Sequence, residues 1–170
     1  PAQIEDYTAE KAFGPLSSER AAENLLDQLS RAVDAGAQLR VGGTRVDGDF
    51  AGGFYVAPAV VTDIPVGSPI YYEEFFGPVV TVYKVSSDEE ALKLANATQY
   101  GLGSTVWAVE EGRAEKFAEG LEAGMTGVNQ SAPETESMPF GGVKRSGYGR
   151  ELGPLGMDEF VNKRLYSVKK

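Results

Sequence analysis

The sequence is most informative at residues 139–152, which read PFGGVKRSGYGREL. This run closes a long connection, 130–148, that holds three Gly, two Pro, two Glu and the adjacent cations Lys144 and Arg145. Loops of this length in compact domains are usually functional or disordered, and we interpret this one as functional. We expect its paired glycines to adopt backbone geometry that a Cβ would forbid, and its two cations to be solvated or salt-bridged.

Three segments upstream of this run carry helical patterns. Apolar residues over 22–33 recur at helical spacing, with Ser17-Ser18 placed to cap the start of the helix and Gly36 placed to end it. A capping-box pattern predicts a second helix beginning after Ser87. Residues 112–121 show apolar positions at the same spacing and predict a third helix.

Strand-like segments alternate with these helices. They lie at 39–41, 54–61, 79–85, 104–109 and 125–129. The nearly continuous apolar run 79–85 indicates a strand covered on both faces. Alternation of strands and helices at this spacing predicts an α/β fold, with a mostly parallel sheet and helices on both of its faces.

Composition excludes several classes of function. The 170 residues carry a net charge of −9, which disfavours nucleic acid and anionic membrane as partners, since both select clustered cations. There is no Cys and no His, which removes the thiol nucleophile, the usual neutral-pH general base and the commonest soft metal ligands. We therefore predict no metal site. Without Cys there is no disulfide framework, which favours a cytoplasmic protein.

Two motifs carry a family resemblance. Residues 73–79 read EEFFGPV, and together with 139–152 they resemble motifs of the aldehyde dehydrogenase superfamily, in the family's order. Further agreement is found at Gly14-Pro15-Leu16, Tyr100-Gly101-Leu102 and residues 124–129. The resemblance runs from Tyr7 to the C-terminus and covers only the part of the catalytic domain that follows the nucleophile. It implies that residues 1–162 are a C-terminal portion of that domain.

The resemblance implies a role for two residues in binding NAD or NADP. Glu74 matches the family glutamate that holds the nicotinamide-side ribose, and Phe76 matches the aromatic residue beside the nicotinamide ring. The alternatives are a solvated loop carboxylate for Glu74 and a core position for Phe76. In the intact enzyme a Cys would attack an aldehyde, and the resulting thioester would be hydrolysed to the carboxylic acid. No catalytic residue is assigned within this chain, so alone we expect it to be inactive.

The substrate assignment is less direct. The run 139–152 looks most like the succinate-semialdehyde dehydrogenase branch, and Phe140 resembles an aromatic residue near the substrate tunnel. A simple core anchor for the glycine turn is the alternative for Phe140. Alignment places Glu134 where that branch often has a small hydroxyl side chain, and an acidic entrance would suit an amino-aldehyde or a broad range of aliphatic aldehydes better.

The C-terminal residues 163–170 resemble the family's strand that pairs with a neighbouring subunit, which implies a homo-oligomer. Within them Arg164 to Val168 is a strand candidate, and a local hairpin is the alternative. A different class of function also stays open: the chain could be a stand-alone non-catalytic binding module or a pseudoenzyme. Asn129, where a strand meets the long loop, is interpreted as a turn-capping residue.

Overall fold

The computed structural model describes residues 13–46, 52–131 and 135–169. Within the chain, the contacts form two compact units, Pro1–Lys84 and Val85–Lys170. This division was not anticipated from the sequence. The separate assignment of residues 1–162 and 163–170 stays a prediction.

Helix α1, Glu19–Asp34, forms where the apolar spacing predicts it. The Ser18 hydroxyl accepts a hydrogen bond from the backbone N–H of Ala21 at 3.2 Å, which caps the first turn. Gly36 follows the helix with a φ of 114°, a conformation that glycine adopts without strain. The buried side of the helix consists of Ala22, Leu25, Leu29 and Ala32.

A three-stranded sheet packs with α1 in the first unit. Strands β1, Gln38–Val41, and β2, Ala59–Thr62, pair antiparallel. Strand β3, Val79–Val82, pairs parallel with β2 in the register Ala59↔Val79. The core of this unit is formed by buried apolar residues of α1, β2 and the connections: Ala22, Leu25, Leu29, Ala32, Ala37, Val56, Ala59, Val61, Ile64 and Ile70.

Strand β3 is shorter and more exposed than its sequence predicts. It ends at Val82, and the side chains of Val80 and Val82 are 59% and 48% exposed. The prediction of a strand covered on both faces is therefore wrong for this chain. The side chains of a strand are covered by elements that pack on the two faces of its sheet, and the described residues cover the faces of β3 too little to bury Val80 and Val82.

The second unit begins with helix α2, Asp88–Ala95. The Ser87 hydroxyl accepts from the backbone N–H of Glu90 at 3.2 Å, as the capping box predicts. The reciprocal bond is displaced by one residue, because the Glu90 carboxylate accepts from the backbone N–H of Ser86 at 2.8 Å. Hydrogen bonds from Ser86 accordingly lower the pKa of Glu90 below its ordinary value.

Two small sheets complete the second unit. Strands β5, Gly103–Val106, and β6, Met125–Val128, pair parallel, and helix α3, Glu111–Glu119, connects them. Strands β4, Tyr100–Gly101, and β7, Val143–Lys144, pair antiparallel. Strand β7 lies inside the connection 130–148. Helix α4, Gly153–Asp158, follows.

The α/β class is confirmed, but the sheet is divided more finely than expected. The described residues form three small sheets rather than one, with two parallel and two antiparallel strand pairs. The antiparallel pair β4–β7 joins residues more than forty positions apart, and local sequence patterns do not encode such pairing.

The C-terminal residues 162–169 follow a turn at the end of α4 and are exposed. Residues 162–169 show neither a strand nor the alternative local hairpin. Leu165 and Tyr166 are 93% and 75% exposed. The prediction of a strand that pairs with another subunit is not tested by a single chain. Across the described ranges, no helix has the length and apolar character needed to cross a membrane.

Candidate functional site

The two residues assigned to the cofactor lie on a connection between a short 3-10 helix, Pro69–Tyr72, and strand β3. Along this connection, exposed side chains alternate with side chains that contact α1 or the core. Glu73 is partly buried and bonded to α1, Glu74 is exposed, Phe75 packs against the core, and Phe76 is 82% exposed. The two residues that the sequence assigns to the cofactor are thus the two that face solvent.

Hydrogen bonds join this connection to helix α1. The Arg31 guanidinium donates two hydrogen bonds to the Glu73 carboxylate, at 2.7 and 2.8 Å, and one to Asp27 at 2.8 Å. The bonds from Arg31 hold the pKa of Glu73 below its ordinary value. Gln28 donates to the backbone carbonyl of Glu74 at 2.9 Å. Sequence reasoning missed these contacts, since Arg31 and Glu73 are 42 positions apart.

Gly77 and Pro78 shape the turn into β3. The Gly77 N–H donates to the Phe75 carbonyl at 2.9 Å, and the Val79 N–H donates to the Gly77 carbonyl at 2.7 Å. A Cβ added at Gly77 would lie 2.4 Å from a methyl carbon of Leu25. The backbone therefore passes over α1 at a distance that only glycine permits, and two successive three-residue turns are centred on Phe76 and Pro78.

The exposed pair combines two kinds of binding group. The Glu74 carboxylate has no ion-pair partner among the described residues, and its two oxygens can accept hydrogen bonds from two neighbouring hydroxyls. The Phe76 ring offers an apolar face to a planar group. An exposed carboxylate and an exposed ring two residues apart can bind a molecule that carries a diol and a flat ring.

The two residues assigned to the substrate are less well placed by this structure. Phe140 lies in the second unit and is partly buried. Its backbone exchanges two hydrogen bonds with Glu151, at 2.8 and 2.7 Å, an arrangement that fits an anchor for the glycine-rich turn. Glu134 lies outside the described residues.

Lys144 and Arg145, the cations of the run 139–152, form an ion pair and hydrogen bonds with other parts of the second unit. Lys144 pairs with the Glu122 carboxylate at 2.6 Å and donates to the backbone carbonyl of Asn96, the residue that caps the end of α2, at 2.9 Å. Arg145 donates to the side chain of Gln99. The salt-bridged interpretation is confirmed for Lys144.

Two further residues of the sequence motifs also have structural roles. Arg150 donates to the carbonyls of Gly142 and Gly149, both at 2.8 Å, and so ties the two arms of the glycine-rich turn together. Asn129 has a φ of 52°, and its side-chain oxygen accepts from the backbone N–H of Ala108 at 2.8 Å. The left-handed φ fits a turn position, but this bond joins Asn129 to a segment 21 positions away and not to its own turn, so the turn-capping interpretation stays a prediction.

The described residues contain no group of three or more His, Cys, Asp or Glu side chains arranged to hold a metal ion. Among the candidate residues that the structure describes, Glu74 and Phe76 offer an exposed carboxylate and an exposed ring.

Curated proteins similar to this chain are succinate-semialdehyde dehydrogenases. The NADP(+) enzyme of Deinococcus radiodurans is 47% identical over 153 residues, which cover 90% of this chain and 31% of the relative. The NADP(+) enzyme 1 of Mycobacterium ulcerans is 42% identical over 149 residues, which cover 88% of this chain and 32% of the relative. The chain thus spans about a third of the length of these relatives.

Solved structures give the same result. Succinic semialdehyde dehydrogenase from Streptococcus pyogenes, in complex with NADP+, superimposes with a TM-score of 0.88 at 41% identity, over 97% of this chain and 35% of that one. Betaine aldehyde dehydrogenase from Staphylococcus aureus, in complex with NAD+, gives 0.88 at 34% identity, over 94% and 32%. The model of the aldehyde dehydrogenase family matches residues 3–165. This chain belongs to the aldehyde dehydrogenase family.

Proposed function

We propose that this chain positions the cofactor within an NAD(P)-dependent enzyme that oxidises an aldehyde to the carboxylic acid. The observation that carries the proposal is the alternation at residues 73–76. Glu74 and Phe76 are exposed, while Glu73 and Phe75 are held by α1 and the core. Membership of the family supports the reaction class. Relatives solved with NADP+ and with NAD+ support a nicotinamide cofactor of either type.

In this proposal the Glu74 carboxylate accepts hydrogen bonds from the two hydroxyls of the nicotinamide-side ribose. Hydrogen bonds to a charged group contribute about 1.5–3 kcal/mol each, which is enough to fix the orientation of the sugar. Phe76 packs beside the nicotinamide ring and restrains its rotation. Together they would hold the ring in the geometry that hydride transfer requires.

The nucleophile is assigned to sequence beyond these 170 residues, because they contain no Cys. A Cys thiolate would form the thioester that water then hydrolyses. We therefore expect the 170-residue chain alone to show no dehydrogenase activity. A stand-alone binding module stays the competing proposal, and tight NAD or NADP binding by the isolated chain would favour it.

For the substrate we propose succinate semialdehyde, with Phe140 and Glu134 near the aldehyde. Support comes from the relatives, which are named as succinate-semialdehyde dehydrogenases at 47% and 42% identity. The carboxylate of Glu134 argues the other way, because it would repel an anionic substrate unless it points outward or a cation compensates. Comparing kcat/KM for succinate semialdehyde and for aminobutyraldehyde decides between an anionic and a cationic substrate.

The C-terminal residues 163–170 are proposed to pair with a neighbouring subunit in a cytoplasmic homo-oligomer. The exposed apolar side chains of Leu165, Tyr166 and Val168 support this, since contact with another subunit would remove them from water. Deletion of 163–170 from the enzyme that contains this chain should lower its mass in light scattering. An unchanged mass would contradict the assignment.

The test of the cofactor role is Glu74→Gln in the enzyme that contains this chain. Because the neutral amide makes weaker hydrogen bonds to the ribose than a carboxylate, hydride transfer should slow more than cofactor binding weakens. Single-turnover measurement of NAD(P)H formation, beside the cofactor dissociation constant, separates the two effects. The matched control is Glu115→Gln on the exposed side of α3, which should change neither. An unchanged hydride step in Glu74→Gln would remove the proposed role.

A further inference from the structure

Helix α1 supports the connection that carries Glu74 and Phe76 from the side opposite their exposed side chains. Three residues of one face of α1 make the contacts: Leu25, Gln28 and Arg31, spaced three apart so that they follow one another along the helix. Leu25 lies against Gly77, Gln28 contacts the backbone of Glu74, and Arg31 contacts the carboxylate of Glu73. The helix and the connection thus run against each other in opposite directions.

Arg31 makes the charged part of this support. Its guanidinium fork matches the two oxygens of Glu73 at 2.7 and 2.8 Å, a bidentate pair that fixes orientation as well as distance. Asp27, one turn earlier on α1, accepts a hydrogen bond from Nε of the guanidinium at 2.8 Å and so restrains its orientation further. The side chains of Arg31 and Glu73 are 42% and 35% exposed, so water screens the pair in part.

Gln28 makes the contact nearest the cofactor residue. Its side-chain amide donates to the backbone carbonyl of Glu74 at 2.9 Å and to the Glu73 carboxylate at 3.3 Å. A side chain can rotate away from a partner, but a bond to the backbone carbonyl restrains the peptide plane itself. The direction in which the Glu74 side chain leaves the backbone therefore depends on Gln28.

We propose that Gln28 and Arg31 are positioning residues, which set the direction of Glu74 and Phe76 by holding the backbone of residues 73–74 against α1. The inference rests on the proposed function, since it assumes that Glu74 contacts the cofactor. Neither residue touches the cofactor in this account. Loss of either contact leaves the Glu74 carboxylate present but less well aimed, which costs rate rather than affinity.

The test uses Gln28→Leu and Arg31→Met in the dehydrogenase that contains this chain. Both variants keep an apolar side chain that can cover part of the same surface, and both remove the polar contacts. We expect each to slow single-turnover hydride transfer by about tenfold, with little change in the cofactor dissociation constant. In a Glu74→Gln background each should slow the step by a smaller factor than in the unaltered enzyme, because the part of the effect that acts through Glu74 is already lost. Arg31→Lys, which keeps the charge without the fork, should fall between Arg31→Met and the unaltered enzyme.

Arg113 offers a matched control in the second unit. Its guanidinium makes a similar bidentate pair with Asp88, at 2.6 and 2.8 Å, and is similarly exposed to solvent. Arg113→Met removes the same kind of interaction and should leave hydride transfer unchanged. Amide hydrogen exchange should rise at residues 74–77 in Gln28→Leu and not in Arg113→Met, a readout available even if Arg31→Met fails to fold.

The outcomes separate this inference from the function on which it rests. If Glu74→Gln slows hydride transfer while Gln28→Leu and Arg31→Met do not, the positioning role is overturned and the proposed function stands. If the slowing is multiplied in full in the double variants, neither residue acts through Glu74, and the positioning role is again overturned. If Glu74→Gln itself leaves hydride transfer unchanged, both proposals fail together.

Discussion

Replacing Gly77 by alanine should loosen the connection that carries Glu74 and Phe76. The added Cβ would lie 2.4 and 3.3 Å from the two terminal carbons of Leu25, and 3.4 Å from a terminal carbon of Leu16. The shortest of these is roughly 1 Å inside normal carbon contact. The conflict is purely steric, because the φ of Gly77 lies outside the left-handed region.

The size of the effect follows from how little the neighbour can move. Leu25 is 1% exposed and belongs to the core of the first unit, so its side chain cannot swing into solvent. Inserting one methyl group into a packed core costs about 1–3 kcal/mol. Leu25→Ala alone should cost about 2–5 kcal/mol by leaving a cavity. The double variant should cost less than the sum, because the new methyl group occupies part of the space that Leu25 leaves.

The assay is chemical denaturation of the enzyme that contains this chain, with amide hydrogen exchange at residues 73–79 as the local readout. The matched control is Gly112→Ala in helix α3, where an added Cβ meets no atom within 4 Å. Alanine is favoured over glycine in a helix by about 0.5–1 kcal/mol, so this control should stabilise. Equal stability changes for Gly77→Ala and Gly112→Ala, or strictly additive costs with Leu25→Ala, would refute the reasoning.

Two further predictions concern polar contacts. The bonds from Arg31 lower the pKa of Glu73 from 4.5, so the stabilisation that they give is present above pH 4.5 and is lost as the pH falls through the lower pKa of the folded state. Glu73→Gln should therefore flatten the acid side of a plot of thermal midpoint against pH. An unchanged profile would contradict this. Asn129→Ala should lower the free energy of unfolding by about 1–3 kcal/mol, since alanine loses the bond to Ala108 and must keep the left-handed φ. Asn129→Gly should lower it less, because glycine adopts that φ freely. Denaturation curves showing the reverse order would contradict this.

Local patterns in the sequence predicted the helices well, because their causes are local. Ser18 and Gly36 delimit α1, and the Ser87–Glu90 box begins α2. Four of the strands were located to within three residues at each end, but the predicted strand 54–61 overlaps β2 only at 59–61, and β4 and β7 were missed. The exposure of Val80 and Val82 depends on what packs on the faces of the sheet, and the apolar character of 79–85 carries no record of that.

The candidate site shows the same division. Glu74 and Phe76 were selected by their motif, and the structure finds them exposed on one connection. The residues that hold this connection escaped notice, because Gln28 and Arg31 sit 42 to 46 positions away and belong to no recognised motif. The pairing of β7 with β4 was missed for the same reason. Contacts between residues that are far apart in the sequence can be identified only in the folded structure.

The central claim is that the Glu74 carboxylate binds the hydroxyls of the nicotinamide-side ribose. The most direct measurement compares hydride transfer with the natural cofactor and with an analogue that lacks those hydroxyls, in the unaltered enzyme and in Glu74→Gln. We expect Glu74→Gln to slow the reaction with the natural cofactor and to have no effect with the analogue. An equal loss of rate with both cofactors would contradict it.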